Sequence, residues 1–179
     1  YTPSLIPFVV TVVISFFIFA LSWNKCKDIY LKSAFQVQKP FLALVGAMIM
    51  VKLMMVGDDY SMTQTIGKGL ADATQQHWVS FASFLGALGA FFSGSNTISN
   101  VTFGAVQYSV ATATGLSVPL ILALQSVGGA MGNMVCINNI IAVCSVLGID
   151  KAEGKIMKIT VVPMMVYGVI AALVAYLVI

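Results

Sequence analysis

The sequence predicts an all-α membrane protein with about four transmembrane helices and one re-entrant helical hairpin. Of its 179 residues, 59% are hydrophobic and 8% are charged, whereas soluble domains are about 45–50% apolar and about 25% charged. The apolar residues form long runs without strict alternation, which is typical of membrane helices and not of a membrane β-barrel. The composition therefore excludes a soluble enzyme, a nucleic-acid-binding domain and a disordered tail.

Charge and cysteine content narrow the partners and cofactors that we expect. The net charge is +3 and the chain has no arginine, and this weak, scattered charge predicts no nucleic-acid partner. The 3 cysteines lack metal-ligand spacing, so we interpret them as packing residues. We expect no cofactor beyond a coupling ion, H⁺ or Na⁺, and we expect the lipid bilayer as surroundings.

The first part of the chain predicts two spans on either side of a lysine-rich loop. Leu5 to Trp23 carries no charge and is long enough to cross a bilayer, with its tryptophan as an interfacial anchor. Residues 24–39 form the predicted loop and residues 41–56 the second span. Residues 57–76 are mixed in character and predict a partly helical segment at the membrane interface.

The predicted hairpin covers about residues 77–114. Its two apolar arms are each shorter than the roughly 20 residues that cross a bilayer comfortably, and the sequence between them, Ser93 to Thr97, is small and polar. These features predict a hairpin that enters from outside and turns near mid-membrane. We interpret His77 and Trp78 at its entrance as an interfacial anchor pair, with a proton relay through the histidine as the alternative.

A second interrupted segment follows a turn at residues 115–119. It predicts a broken helix over about residues 118–147, interrupted by a stretch rich in glycine and asparagine from Gly128 to Asn139. A charged loop at residues 148–158 and a last span, Ile159 to Ile179, complete the chain.

The lysines predict the orientation of the chain, because cytoplasmic loops of membrane proteins are enriched in basic residues. Residues 24–39 contain four lysines and residues 148–158 contain three, against one in residues 57–76. We therefore expect the first two segments to be cytoplasmic and the third to be external. Lys52 lies within a span, where it either snorkels to the interface or faces a substrate carboxylate.

The two helix breaks form the predicted binding site. Irregular backbone at membrane depth leaves polar groups unpaired, so it persists only where it is buried in protein or lines a wet cavity. Paired, interrupted apolar segments are also the sequence feature that best indicates a transporter site. The predicted ligands of substrate or ion are the small and polar residues of both breaks: Ser93, Gly94, Ser95, Asn96, Thr97, Ser99, Asn100, Gly128, Gly129, Gly132, Asn133 and Asn138.

An alternative interpretation applies to the glycines, because the spacing of Gly128 and Gly132 is also typical of close helix packing. Catalysis is not expected. The sequence contains no nucleophile–base pair, HExxH, P-loop or Rossmann fingerprint, so we predict a protein that is not an enzyme.

The motifs in both breaks resemble the L-lactate permease family. The resemblance is carried by Leu85 to Asn100, Phe103-Gly104, Gln107, Gly128 to Met134 and Gly148 to Glu153. It implies symport of a short monocarboxylate, lactate or glycolate, with protons across the bacterial inner membrane. Such permeases are longer than this chain, so the resemblance implies a C-terminal repeat whose partner is the missing N-terminal half. A second copy of the chain, in a homodimer, is a further candidate partner.

The triplet Ser95-Asn96-Thr97 is also similar to the hairpin-tip signature of divalent-anion/sodium symporters. Many lactate permeases carry Asp at the position of Asn96 and Lys at that of Asn133, so this chain lacks the obvious proton-carrying carboxylate. A sodium ion at the triplet, in a sodium-coupled carrier of another organic anion, is therefore an alternative. A non-transporting membrane subunit, which uses the breaks only for packing, is the alternative from another class.

Overall fold

The structure is a computed structural model, and it describes residues 5–20, 22–57, 60–147, 149 and 151–179. The prediction of an all-α protein is confirmed, since every regular element in these ranges is helical. The elements are eight α-helices: α1 (Leu5–Ile18), α2 (Trp23–Met54), α3 (Met62–Thr74), α4 (Trp78–Ser93), α5 (Asn96–Thr114), α6 (Val118–Gly132), α7 (Ile137–Leu147) and α8 (Glu153–Val178). Short 3₁₀ turns cover Gln75–His77 and Asn133–Val135.

The predicted loop over residues 24–39 is wrong, because α2 runs through it without interruption. This stretch contains neither glycine nor proline, and half of its residues are good helix formers. Lys32 Nζ also lies 3.5 Å from Asp28 Oδ2, an i,i+4 ion pair that supports a helix. The predicted first span is also shorter than expected, since α1 ends at Ile18 and Trp23 already begins α2.

Two stretches of the described chain are long and apolar enough to cross a membrane, Val118–Val135 and Glu153–Val178. Shorter apolar helical stretches cover Ile6–Ile18 and Val45–Met54. Large apolar side chains are exposed along α1, α2 and α8. A surface of this kind is typical of a protein that faces lipid.

The chain divides into two compact units, one up to Ala43 and one from Leu44 onwards. The second unit contains a buried core in which α4, α5 and α6 pack together. Its most buried apolar side chains come from all three helices and include Val79, Ala82, Val110 and Ile121. Small residues of α8, among them Gly168 and Ala175, pack on the same unit.

Helices α4 and α6 touch through their backbones at three glycines. A Cβ on Gly128 would collide with the carbonyl oxygen of Ser83, and one on Gly132 with that of Ala87. On the opposite helix, a Cβ on Gly86 would collide with the carbonyl oxygen of Gln125. Only glycine permits such close approach of two helices.

This packing corrects the predicted bounds of the second break. Helix α6 continues through Gly128, Gly129 and Gly132, and the regular helix is interrupted only over residues 133–136. The glycines stay helical because their missing side chains make room for the neighbouring helix. The surroundings of Gly128 and Gly132 therefore agree with the alternative interpretation, in which these glycines permit close helix packing.

Helix α3 packs on α5 by the same means. The Cβ that Gly67 lacks would meet the side chain of Ser109, and Ser109 Oγ donates to Gln64 Oε1 at 2.7 Å. Ser61 begins α3 as its N-cap and accepts a hydrogen bond from Gln64 N–H. The segment over residues 57–76 is thus largely helical.

Adding a methyl group at Gly128 should destabilise the protein. We expect Gly128→Ala to lower the free energy of unfolding by about 1–3 kcal/mol, because the methyl group meets a rigid backbone carbonyl. The matched control is Gly104→Ala in α5, where a Cβ would meet nothing within 4 Å. That change should raise stability by about 0.5–1 kcal/mol. Thermal unfolding in detergent compares them, and equal midpoints would contradict the packing of α4 on α6.

Candidate functional site

The first helix break is a tight turn between α4 and α5. Gly94 ends α4 with a φ of 69°, a left-handed conformation that glycine adopts without steric cost. Ser95 follows in an extended conformation and begins α5 as its N-cap, accepting from Ile98 N–H at 3.3 Å. Helix α5 thus begins at Asn96, within the triplet that the sequence analysis singled out.

The serine hydroxyls of this turn are occupied locally. Ser93 Oγ accepts from Ser95 N–H at 3.2 Å and lies 2.8 Å from the carbonyl oxygen of Gly89. Ser95 Oγ caps α5 as described above. Thr97 is exposed on the outer side of the first turn. The turn therefore offers Asn96 and its helix N-terminus to a ligand more readily than its hydroxyls.

The second helix break lies between α6 and α7. A 3₁₀ turn covers Asn133–Val135, and Cys136 is extended, with φ of −66° and ψ of 122°. Helix α7 begins directly after it. Asn139 Nδ2 donates to Asn133 Oδ1 at 3.4 Å and so links the two sides of the break.

The two breaks meet. A Cβ on Gly94 would lie 3.2 Å from both Asn139 Oδ1 and Cys136 Sγ. Asn96 Oδ1 occupies the space that a side chain on Gly129 would fill. We call this place the junction and define it by the residues Gly94, Ser95, Asn96, Asn133, Cys136 and Asn139.

The junction is polar but carries no formal charge on any of its six residues. Two helices end there, α4 and α6, and two begin there, α5 and α7. Helix N-termini present partial positive charge and C-termini partial negative charge. Such convergent helix ends can bind an anion and a cation without an ionised side chain.

One polar atom at the junction lacks a protein partner. Asn96 Oδ1 is buried and accepts no hydrogen bond from any residue that the structure describes. A buried carbonyl oxygen without a donor costs about 1–3 kcal/mol, so this oxygen is free to accept a hydrogen bond from a water or a ligand.

Three other predicted site residues lie outside the junction. Ser99 is fully buried, and its hydroxyl donates to the carbonyl oxygen of Gly86 at 2.6 Å. Asn100 contacts Ser126 Oγ and Gln125 Nε2 at 3.4 and 3.5 Å. Asn138 is exposed near the start of α7.

The interpretation of Trp78 as an interfacial anchor is wrong. Its side chain is only 4% exposed, and its indole N–H donates to Gln107 Oε1 at 2.8 Å. A buried indole needs such a partner. His77 is exposed just before α4, and its proton relay stays a prediction. Lys52 is exposed along a groove lined by apolar residues of α2, a position that fits snorkelling.

The direct pairing of two buried glutamines is a feature that the sequence analysis did not predict. Gln107 and Gln125 have exposures of 0% and 1% and are hydrogen-bonded to each other at 2.8 Å. Glutamine within an apolar helix is the available signal, because an amide in a membrane span must find a partner.

Comparison with known proteins decides the family. The L-lactate permease family matches residues 1–179 of the chain. The chain belongs to the L-lactate permease family. The resemblance read from the two breaks is thereby confirmed, and permeases are membrane transport proteins.

Three relatives show how similar the chain is to known proteins of this family. A Haemophilus influenzae protein with the provisional name of L-lactate permease is 58% identical over 97% of the chain and 32% of its own length. The L-lactate permease of Escherichia coli K12 is 32% identical over 88% of the chain and 29% of its length. A glycolate permease of the same strain is 30% identical over 93% and 30%.

The permease chain spans about a third of the length of these curated relatives. No solved structure matches it. Among the residues that the structure describes, no group of three or more His, Cys, Asp and Glu residues could hold a metal ion.

The contact of Gly94 with the second break can be tested against a second left-handed glycine. Gly94→Ala and Gly115→Ala both place alanine at positive φ, 69° and 72°, which costs about 1–2 kcal/mol. A Cβ at Gly115 would meet nothing within 4 Å, whereas one at Gly94 presses on Cys136. We expect several-fold faster alkylation of Cys136 in Gly94→Ala alone, measured by peptide mass spectrometry. Equal rates in both variants would contradict a shared junction.

Proposed function

We propose that this chain forms one repeat of a carrier that moves a small monocarboxylate, L-lactate or glycolate, by cation symport across the bacterial inner membrane. The observation that supports the proposal most is the junction, where the two helix breaks meet at Gly94 and the nearby Asn96 Oδ1 has no donor among the described residues. Further permease segments, such as the missing N-terminal half, would complete the carrier. A second copy of the chain is a further partner to test.

The carboxylate would bind at the N-terminus of α5. The first turn of a helix leaves N–H groups without a helical carbonyl, and Ser95 caps only that of Ile98. The N–H groups of Asn96 and Thr97 can then donate to a carboxylate, assisted by the helix dipole. The carboxamide of Asn133 lies at the adjacent break and supplies a further donor.

The unpaired Asn96 Oδ1 would select 2-hydroxy acids. Lactate and glycolate each carry a hydroxyl beside the carboxylate, and that hydroxyl is the donor that this oxygen lacks. A buried acceptor left unpaired by the wrong substrate discriminates strongly against it. Propionate, which lacks only the hydroxyl of lactate, should therefore bind worse.

Cation symport is supported by the absence of charge on the junction residues. Moving a carboxylate into a site without an ionised partner is costly, and a cation that travels with it cancels its charge. A proton needs no further ligand, because the substrate carboxylate itself can carry it. A sodium ion would need the triplet Ser95-Asn96-Thr97, in which Ser95 Oγ already caps α5 and Thr97 is exposed.

The chain would cross the membrane several times, with residues 77–114 as a re-entrant hairpin and residues 118–147 as a broken helix. Both lysine-rich segments, residues 24–39 and 148–158, are assigned to the cytoplasmic side. Gly148 and Asp150 lie outside the described residues. The supporting observation is the tight turn after Ser93, which leaves each arm of the hairpin at 19 residues or fewer.

Replacing either asparagine of the junction should strongly reduce lactate uptake. We expect Asn96→Ala and Asn133→Ala to lower uptake at least about tenfold, because each loses a hydrogen bond of about 1.5 kcal/mol to a charged or buried group. Radiolabelled lactate uptake, corrected for the amount of protein in the membrane, measures the effect. The matched control is Asn24→Ala on the exposed surface of α2, which should keep normal uptake.

Propionate serves as the second substrate in the same assay. The Asn96→Ala variant should lose most of the preference for lactate over propionate, whereas Asn133→Ala should keep it. Normal lactate uptake in both variants would contradict the assignment of the substrate site to the junction. An unchanged preference in Asn96→Ala would overturn only the hydroxyl contact.

Lactate accumulation in membrane vesicles under an imposed proton or sodium gradient identifies the coupling ion. We expect an inward proton gradient to drive lactate accumulation without sodium, because the substrate carboxylate supplies the protonation site. A sodium gradient at equal internal and external pH should drive none. Accumulation driven by sodium alone would show that the coupling ion is sodium, bound at the triplet, and not a proton.

A further inference from the structure

A chain of buried hydrogen bonds links the base of the hairpin to its tip. Trp78 Nε1 donates to Gln107 Oε1 at 2.8 Å, and Gln107 Nε2 donates to Gln125 Oε1 at 2.8 Å. Gln125 Nε2 then donates to Ser99 Oγ at 3.0 Å, and Ser99 Oγ donates to the carbonyl oxygen of Gly86 at 2.6 Å. We call these five residues the glutamine chain.

The glutamine chain can run in only one direction. An indole N–H donates and cannot accept, so Trp78 fixes the oxygen of Gln107 on its own side. The amide nitrogen of Gln107 must then face Gln125, where it also donates to the carbonyl oxygen of Ala82 at 2.8 Å. The same logic turns the nitrogen of Gln125 towards Ser99, so one donor-only group sets every later bond.

The far end of the glutamine chain lies next to the junction. Gln125 Nε2 also contacts the carbonyl oxygen of Ser99 at 3.3 Å and Asn100 Oδ1 at 3.5 Å. Ser99 is in the first turn of α5, and its N–H donates to the carbonyl oxygen of the N-cap Ser95 at 3.0 Å. The chain therefore fixes the turn from which Asn96 reaches Gly129 of α6.

We propose that Trp78, Gln107 and Gln125 are positioning residues, which set the orientation of the first turn of α5 and hence of Asn96. This inference rests on the proposed function only in that Asn96 contacts the substrate. Trp78 lies about 22 Å from Ser93 along α4, by the rise of 1.5 Å per residue. It therefore acts on the junction through the glutamine chain and not by direct contact.

The experiment uses Trp78→Phe, which removes the first donor, Gln107→Met, which removes the middle of the chain, and the double variant. The matched control is Trp23→Phe, because Trp23 is 83% exposed. Hydrogen–deuterium exchange of the purified full-length protein measures the peptide that covers residues 96–101. The Michaelis constant and maximal rate of lactate uptake are measured on the same variants.

We expect exchange in residues 96–101 to rise about three- to tenfold in Trp78→Phe and Gln107→Met, since the turn loses its buried partners. The Michaelis constant for lactate should rise by a similar factor with little change in the amount of protein. The double variant should add nothing to Gln107→Met, because both act through one chain. Trp23→Phe should match the wild type.

Unchanged exchange in residues 96–101, or an equal rise throughout α4, α5 and α6, would overturn the inference and leave the glutamine chain as packing alone. The same holds if the Michaelis constant stays constant while the first turn loosens. If the wild-type protein carries no lactate, the proposed function fails, and the exchange data still decide whether the chain positions the turn.

Discussion

The close approach of α4 and α6 is the contact on which the site depends. Their backbones touch where Gly86, Gly128 and Gly132 lack side chains, and the stretch that follows α6 then contacts the end of α4 at Gly94. The breaks that follow, after Ser93 and after Gly132, can therefore face each other and not lipid. Since lipid offers no partner to bare backbone groups, tight helix packing and the paired breaks support one another.

Polar groups in the second unit follow the same constraint in two different ways. The glutamines between α4, α5 and α6 are buried and satisfied by protein, with each donor matched to an acceptor. Asn96 Oδ1 is buried and lacks such a match. A fully satisfied buried network rigidifies its surroundings, whereas an unsatisfied group marks a place for something else to bind. Under the proposed function, the glutamines belong to the scaffold of the site and Asn96 to its binding groups.

Much of this arrangement could be predicted from the sequence, and the failures have physical causes. The clustered small and polar residues from Ser93 to Thr97 indicated a helix break, and the structure places a turn there. The break after Gly132 was placed too early, because glycine in a helix signals either a break or a close neighbour, and only the tertiary contact distinguishes them. Lysines suggested a loop where α2 is continuous, since charge reports on solvent exposure and not on helix ends. Trp78 was misassigned because its partner Gln107 lies 29 residues away in sequence.

The most direct test is an electron cryo-microscopy map of the full-length permease with lactate bound. The arrangement described above predicts ligand density between the turn at Gly94–Asn96 and the break at Asn133–Asn139, with the lactate carboxylate at the N-terminus of α5. Density elsewhere, with the polar groups of both breaks sealed against neighbouring helices, would contradict a binding role for the junction.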